Sequence, residues 1–194
     1  HEGSVNFATT TDAVGNGENI RFKLDDNSRI SLSNNDSGTG NIIFGKDVAS
    51  NLDAGSNYNT FIGRNVAAAT LNDATHNIAI GDSAMNDITT ADNNVGIGSS
   101  AMLNMTTATQ NVAIGRQAMG LGITTGGSNV AIGYTSLYKL TSGTENVAIG
   151  KDSMQDNLGG SGNTAVGTEA VILESIAAPA ANLSPILIVP KLPE

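Results

Sequence analysis

The sequence predicts an all-β fold: a repetitive, parallel β-roll or solenoid of about eight coils, each 17–18 residues long. Three observations predict it. An asparagine and a glycine four residues apart recur at a fixed short period. β-Branched residues alternate in the positions between them. One coil is also too short to hold a helix together with a strand and two turns. The flanking regions are an N-terminal β-hairpin region and an extended C-terminal segment.

Residues 1–40 stand apart from the repeat. NIRFKLDDNSRISLS (19–33) alternates Ile20, Phe22 and Leu24 with Arg21, Lys23 and Asp25, then resumes with Ile30 and Leu32. Asp26-Asn27-Ser28 supplies a turn, so the stretch reads as a hairpin that caps the first coil or links to another module. The spacing of Asp25, Asp26 and Asn27 does not match a calcium loop, which leaves a solvated turn.

Residues 41–174 are the repeat region. Its glycines are Gly45, Gly63, Gly81, Gly98, Gly115, Gly133, Gly150 and Gly167, at successive spacings of 18, 18, 17, 17, 18, 17 and 17. Four residues before each stands Asn41, Asn59, Asn77, Asn94, Asn111, Asn129, Asn146 or Asn163. A period this short marks stacked coils. The residue before the glycine (Phe44, Ile62, Ile80, Ile97, Ile114, Ile132, Ile149, Val166) and the one two earlier (Ile42, Thr60, Ile78, Val95, Val112, Val130, Val147, Thr164) share one strand face. A second apolar pair follows three and four residues after the glycine, as in Ala118-Met119, and reads as a second short strand. Asn and Gly take the corners, where φ turns positive, and stacked Asn side chains can bond from coil to coil.

Between the two β-branched columns, on the opposite face, lie Ala79, Gly96, Ala113, Ala131, Ala148 and Ala165; only Ile43 and Phe61 are large there. Small residues let another backbone approach. A thin coil buries little by itself. The sequence therefore predicts that three chains press these small faces together around a common axis, with Ile, Val and Met columns filling each chain's layers. These residues are the candidate trimer interface.

Residues 175–194, SIAAPAANLSPILIVPKLPE, carry all four prolines, and Ile186-Leu187-Ile188-Val189 is too apolar to lie free in water. The segment reads as an extended strand that packs on neighbouring chains and ends the solenoid, its prolines blunting a sticky edge.

NVAIGRQAM (111–119), NIAIGDSAM (77–85) and NVAIGYTSL (129–137) resemble the head repeats of trimeric autotransporter adhesins. They are closer still to repeats of phage tail fibres, with GYTSLYKLTSGTENVAIG (133–150) the best match. The resemblance covers about residues 41–171. It implies a homotrimeric, left-handed parallel β-roll or interwoven β-prism, used as a shaft or head. The repeats are longer than those of autotransporter heads. The chain also stops before the self-cleaving chaperone, built on a Ser–Lys pair, that ends many such fibres.

Composition narrows the function. There are 18 acidic and 9 basic residues, a net charge of −9, which argues against nucleic acid and anionic lipid as partners. With no cysteine, thiolate chemistry is excluded. No apolar run is long enough to span a membrane as a helix. His1 and His76 are far apart in sequence, no zinc spacing or Ser/His/Asp order stands out, and Gly15-Asn16-Gly17 lacks the strand and helix of a dinucleotide site. No catalytic residue, cofactor or metal is expected. Asp47, Asp82, Asp152 and Glu169 read as solvated corner residues, and Lys46, Arg64, Arg116 and Lys151 as an exposed ion-pairing column.

The expected function is structural and non-enzymatic: a homotrimeric fibre protein of a phage tail or virion appendage involved in host attachment. Its partners are itself, other virion proteins and a host cell-surface receptor or glycan. The alternatives are a bacterial surface adhesin head, placing the chain outside the cell, and an ice-binding solenoid using Thr89-Thr90, Thr106-Thr107, Thr124-Thr125 and Thr141-Ser142.

Overall fold

The computed structural model describes residues 34–35, 38–122, 124–170 and 186–187. The chain divides into two units, His1–Ser31 and Leu32–Glu194. The described residues all belong to the second, so the hairpin expected at 19–33 and most of the C-terminal segment lie outside them.

A two-residue antiparallel ladder, β1 (Asn34–Asn35) with β2 (Gly38–Thr39), precedes the solenoid. Eight strands then stack in chain order: β3 (Ile42–Lys46), β4 (Thr60–Arg64), β5 (Ile78–Asp82), β6 (Val95–Ile97), β7 (Val112–Ile114), β8 (Val130–Ile132), β9 (Val147–Ile149) and β10 (Thr164–Val166). Every neighbouring pair is parallel and in register, so that Val95 lies beside Val112 and Gly63 beside Gly81. Eight stacked strands enclose about seven turns of chain. β11 (Ile186–Leu187) adds a further parallel rung on β10.

Inside the coil the asparagine ladder forms as expected. Asn111 Oδ1 accepts both the backbone N–H of Asn129 (2.9 Å) and its side-chain amide (3.0 Å). Asn111 Nδ2 donates to Asn94 Oδ1 (3.3 Å) and to the Gly126 carbonyl (3.0 Å). The same bonds repeat from Asn41 to Asn163. Amides buried this completely are tolerable because each donor and acceptor has a partner.

The corners differ from expectation. None of the repeat asparagines has positive φ; the residue before each does, from Tyr58 (φ 60) to Glu145 (φ 58). The expected second strand is also absent. From Gly45 to Gly150 the residues two and four after each repeat glycine are left-handed, as in Gln117 (φ 57) and Met119 (φ 50), so the chain coils where an extended segment was read. Its amides still bridge coils: Gln117 N–H donates to Ser99 O, and Met119 N–H to Ser136 O. Glycine is required at the corner because a Cβ on Gly98 (φ 134) would lie 2.5 Å from the carbonyl oxygen of Gly115.

The larger correction concerns which side faces inward. Ala79, Ala113, Ala131, Ala148 and Ala165 have no exposure at all, and Gly96 is buried with them, its missing side chain replaced by Met85. They belong to this chain's own core, which they share with all five methionines (Met85, Met102, Met105, Met119, Met154) and with Phe61, Leu71, Ile88, Leu137 and Leu140. The candidate trimer interface therefore does not lie on an outer surface. A coil of 17 residues encloses so narrow a space that only small side chains fit opposite the methionines. The Val and Ile columns point outward.

Candidate interaction face

Alternation along the strand sets the outer face. Asn111 and Ala113 point in; Val112 and Ile114 point out. Stacked over eight rungs, the outward residues form two apolar columns. Six of their members, Ile42, Phe44, Ile78, Ile114, Ile149 and Val166, are 37–47% exposed, and the others are half-buried. From rung spacing and residue rise the columns run roughly 34 Å along the stack and lie about 7 Å apart.

Two polar borders flank them, because the same alternation carries one position further at each end. The residue before each asparagine borders the strand's start: Tyr58, His76, Asn93, Gln110, Ser128 and Glu145 are all exposed. The residue after each glycine borders its end, and contains the cationic column read from sequence. There the Arg64 guanidinium pairs with Asp82, Nη2 donating to Oδ2 (3.0 Å) with Nε 2.9 Å from Oδ1, and Arg116 lies over the ring of Tyr134 at 5.6 Å. Lys46 contacts Asp47 at 3.9 Å, and Lys151 meets Asp152 at 3.1 Å. On the opposite border the rings of Tyr58 and His76 lie 5.1 Å apart, tilted by 33°. His76 is thus an exposed loop-end residue, as expected, with an aromatic neighbour.

The electrostatics are local. The Thr135 hydroxyl donates to Asp152 and, ahead of the Lys151 ammonium, holds its carboxyl below the ordinary value against a partial desolvation. The Asp152 carboxylate in turn pushes Lys151 up. The Ser56 hydroxyl holds the Asp53 carboxyl below its ordinary value in the way Thr135 does for Asp152. Asp82, read as solvated, is half-buried and ion-paired.

The threonine pairs do not make one flat outer array. Thr124 is fully buried, its hydroxyl bonded to Leu140 O (3.1 Å) and Gly122 O (3.3 Å). The hydroxyls of Thr89, Thr125 and Thr141 donate to carbonyls of the following coil. Among the described residues no three His, Cys, Asp or Glu side chains are placed to hold a metal ion, and no helix is long and apolar enough to cross a membrane. Asp25, Asp26 and Asn27 lie outside the described residues.

The face was missed in sequence because V-A-I is apolar on both sides. The available signal was the charge at even spacing from it: Glu145, Val147, Ile149 and Lys151 alternate along the strand and so share a side. Comparison with protein-family models, with curated proteins and with solved structures finds no match.

Proposed function

We propose that this chain is a structural, non-enzymatic rod segment that assembles as a homotrimer, of the kind used in a phage tail fibre or virion appendage to hold a host-attachment surface away from the particle. The observation that carries the reading is the double column of outward-facing, exposed or half-buried, mostly Val and Ile residues on a regular parallel solenoid. Apolar columns with polar borders have the anatomy of a protein interface. With its borders the face covers about 700 Å², close to the ~800 Å² that each partner contributes to a standard stable interface. A partner must match knobs repeated on every rung, and a second copy of this chain has that period. Stacked parallel strands with bonded interior amides supply stiffness.

Light scattering on a sizing column tests the assembly. A mass near three times the 19.7 kDa chain is expected; a mass near one chain would sink the proposal. Replacing Val130 and Ile132 together by Asp should leave the interior alone and return a monomer. The attachment role is tested by labelling the trimer and measuring its adsorption to candidate host cells. A trimer that adsorbs to none of a broad host panel would count against that role.

A further inference from the structure

Lys46, Arg64, Lys139 and Lys151 each lie within 3.9 Å of an aspartate carboxylate. Arg116 does not. Among the described residues no carboxylate pairs with its guanidinium, although the chain carries 18 acids to 9 bases. Its exposed side chain lies instead over the Tyr134 ring, which fixes the direction of its donors. The corner around it is free of acid. In the column that follows the repeat glycines, Asp82, Ser99 and Arg116 stand on successive rungs. Asp82 is thus two rungs, about 10 Å, from Arg116, and it is taken by Arg64. Ser99 is the smallest side chain of that column from Lys46 to Lys151, and it leaves a notch beside the guanidinium. The adjoining column supplies Ser100 and Gln117, the Gln117 N–H donating to Ser99 O at 2.9 Å. Among the described residues the side chains of Ser99, Ser100 and Gln117 make no hydrogen bond, whereas Thr135, one rung further, donates to Asp152.

We propose that this corner binds an acidic sugar, the Arg116 guanidinium taking its carboxylate and Ser99, Ser100 and Gln117 its neighbouring hydroxyls. The inference rests on the host-attachment reading above and gives the rod segment a recognition site of its own. A guanidinium edge matches a carboxylate with two parallel N–H donors, and one already oriented by a ring loses less freedom on binding. Serine hydroxyls and a glutamine amide both donate and accept, as sugar hydroxyls do. The same set disfavours a bare phosphate. A single fixed cation in a chain of net charge −9 balances one negative charge and not two. The site lies on the rim of the apolar face, and a rim stays open to water when the apolar centre is covered. With one site on every chain, assembled copies hold several at fixed spacing, which raises avidity for a polymer of such sugars without any new contact.

Saturation-transfer NMR on the full chain tests this, with glucuronate as the probe and glucose and inorganic phosphate as comparisons at equal ionic strength. Saturation should pass to glucuronate and only weakly to glucose. The glucuronate signal should fall roughly fivefold or more in Arg116→Gln, and less in Arg116→Lys, which keeps the charge but not the fork. Ser99→Asp gives Arg116 the carboxylate that the other four cations have and should abolish the signal, with circular dichroism showing that the solenoid is intact. Equal transfer to glucose and glucuronate would overturn the site. So would no transfer to glucuronate, or a signal unchanged in both Arg116→Gln and Ser99→Asp. Phosphate that displaces glucuronate at equal concentration would overturn the choice of a sugar over a bare anion. Cell adsorption separates this inference from the reading beneath it. Adsorption without glucuronate transfer removes this site and leaves the attachment role; transfer without adsorption keeps the site and removes the role.

Discussion

The interior asparagines use every donor and acceptor they have, so substituting one orphans its neighbours as well. Asn111→Ala removes the acceptor for Asn129's backbone and side-chain N–H and the donor to Gly126 O, all in buried surroundings. At about 1–3 kcal/mol per orphaned buried group, the loss should reach at least about 3 kcal/mol in urea unfolding. Asn111→Asp should be no milder, because it restores the acceptor and sets a carboxylate against Asn94 Oδ1. Left-handed residues work in the other direction. Gln117 holds φ 57 without a β-branch or a recorded side-chain bond. Gln117→Gly should stabilise by up to about 1 kcal/mol and Gln117→Val destabilise by about 1–2 kcal/mol, read by thermal melts. For Asp152 the sign follows from its depressed pKa. Its contribution is complete above the ordinary aspartate value and drains as pH falls through the lowered one. Asp152→Asn should therefore flatten the acid limb of a stability–pH curve, and, because Lys151 loses the partner that raises it, also flatten the loss of stability at strongly alkaline pH.

At the scale of the strand and its corner, glycine is the most constrained residue. Gly98 combines φ 134 with a carbonyl 2.5 Å from where a Cβ would stand. Gly98→Ala should cost about 3 kcal/mol or more, from backbone strain plus displacement of the next coil. Gly167 offers the internal control. Its φ is 139, but among the described residues a Cβ there would meet only Ala170 at 3.9 Å, so Gly167→Ala should cost less than Gly98→Ala, chiefly the backbone part. Strand positions and register were legible because the Asn–Gly spacing never varies. The inward side was harder to read. Ala113 sits between Val112 and Ile114, and hydrophobicity alone ranks the larger pair as core. The deciding feature is coil width, which admits Ala opposite Met119 and excludes two β-branched columns. The Ala118-Met119 pair misled for a related reason. Two adjacent apolar residues face the interior together only because Met119 is left-handed, a conformation that a methionine does not announce. The polar column two after each glycine, with Asp47, Asn65 and Asp152, was its sequence mark.

For the solenoid as a whole, stability is expected to be a sum over coils and coil–coil interfaces, since each rung bonds only to its neighbours. Whole coils should then be removable provided that every column stays aligned. Deleting Ser99 to Gly115, one complete 17-residue period, joins Gly98 to Arg116 and leaves Asn94 four residues before its glycine and Asn129 next in the ladder. The shortened solenoid should fold, keep its sheet signal by circular dichroism, and show a denaturant m-value lower by roughly one-eighth, in proportion to the surface that one coil buries. Deleting Ser99 to Ile114 removes one residue fewer and inserts a second glycine at the corner. That shift displaces the left-handed positions, so Arg116 would fall where Gln117 coils and Ala118 where Met119 does. It should unfold the coils that follow or expel the extra residue as a bulge. Equal stability of the two deletions would mean that the columns do not act as a register, and the rung-by-rung account of both core and outer face would fall with it.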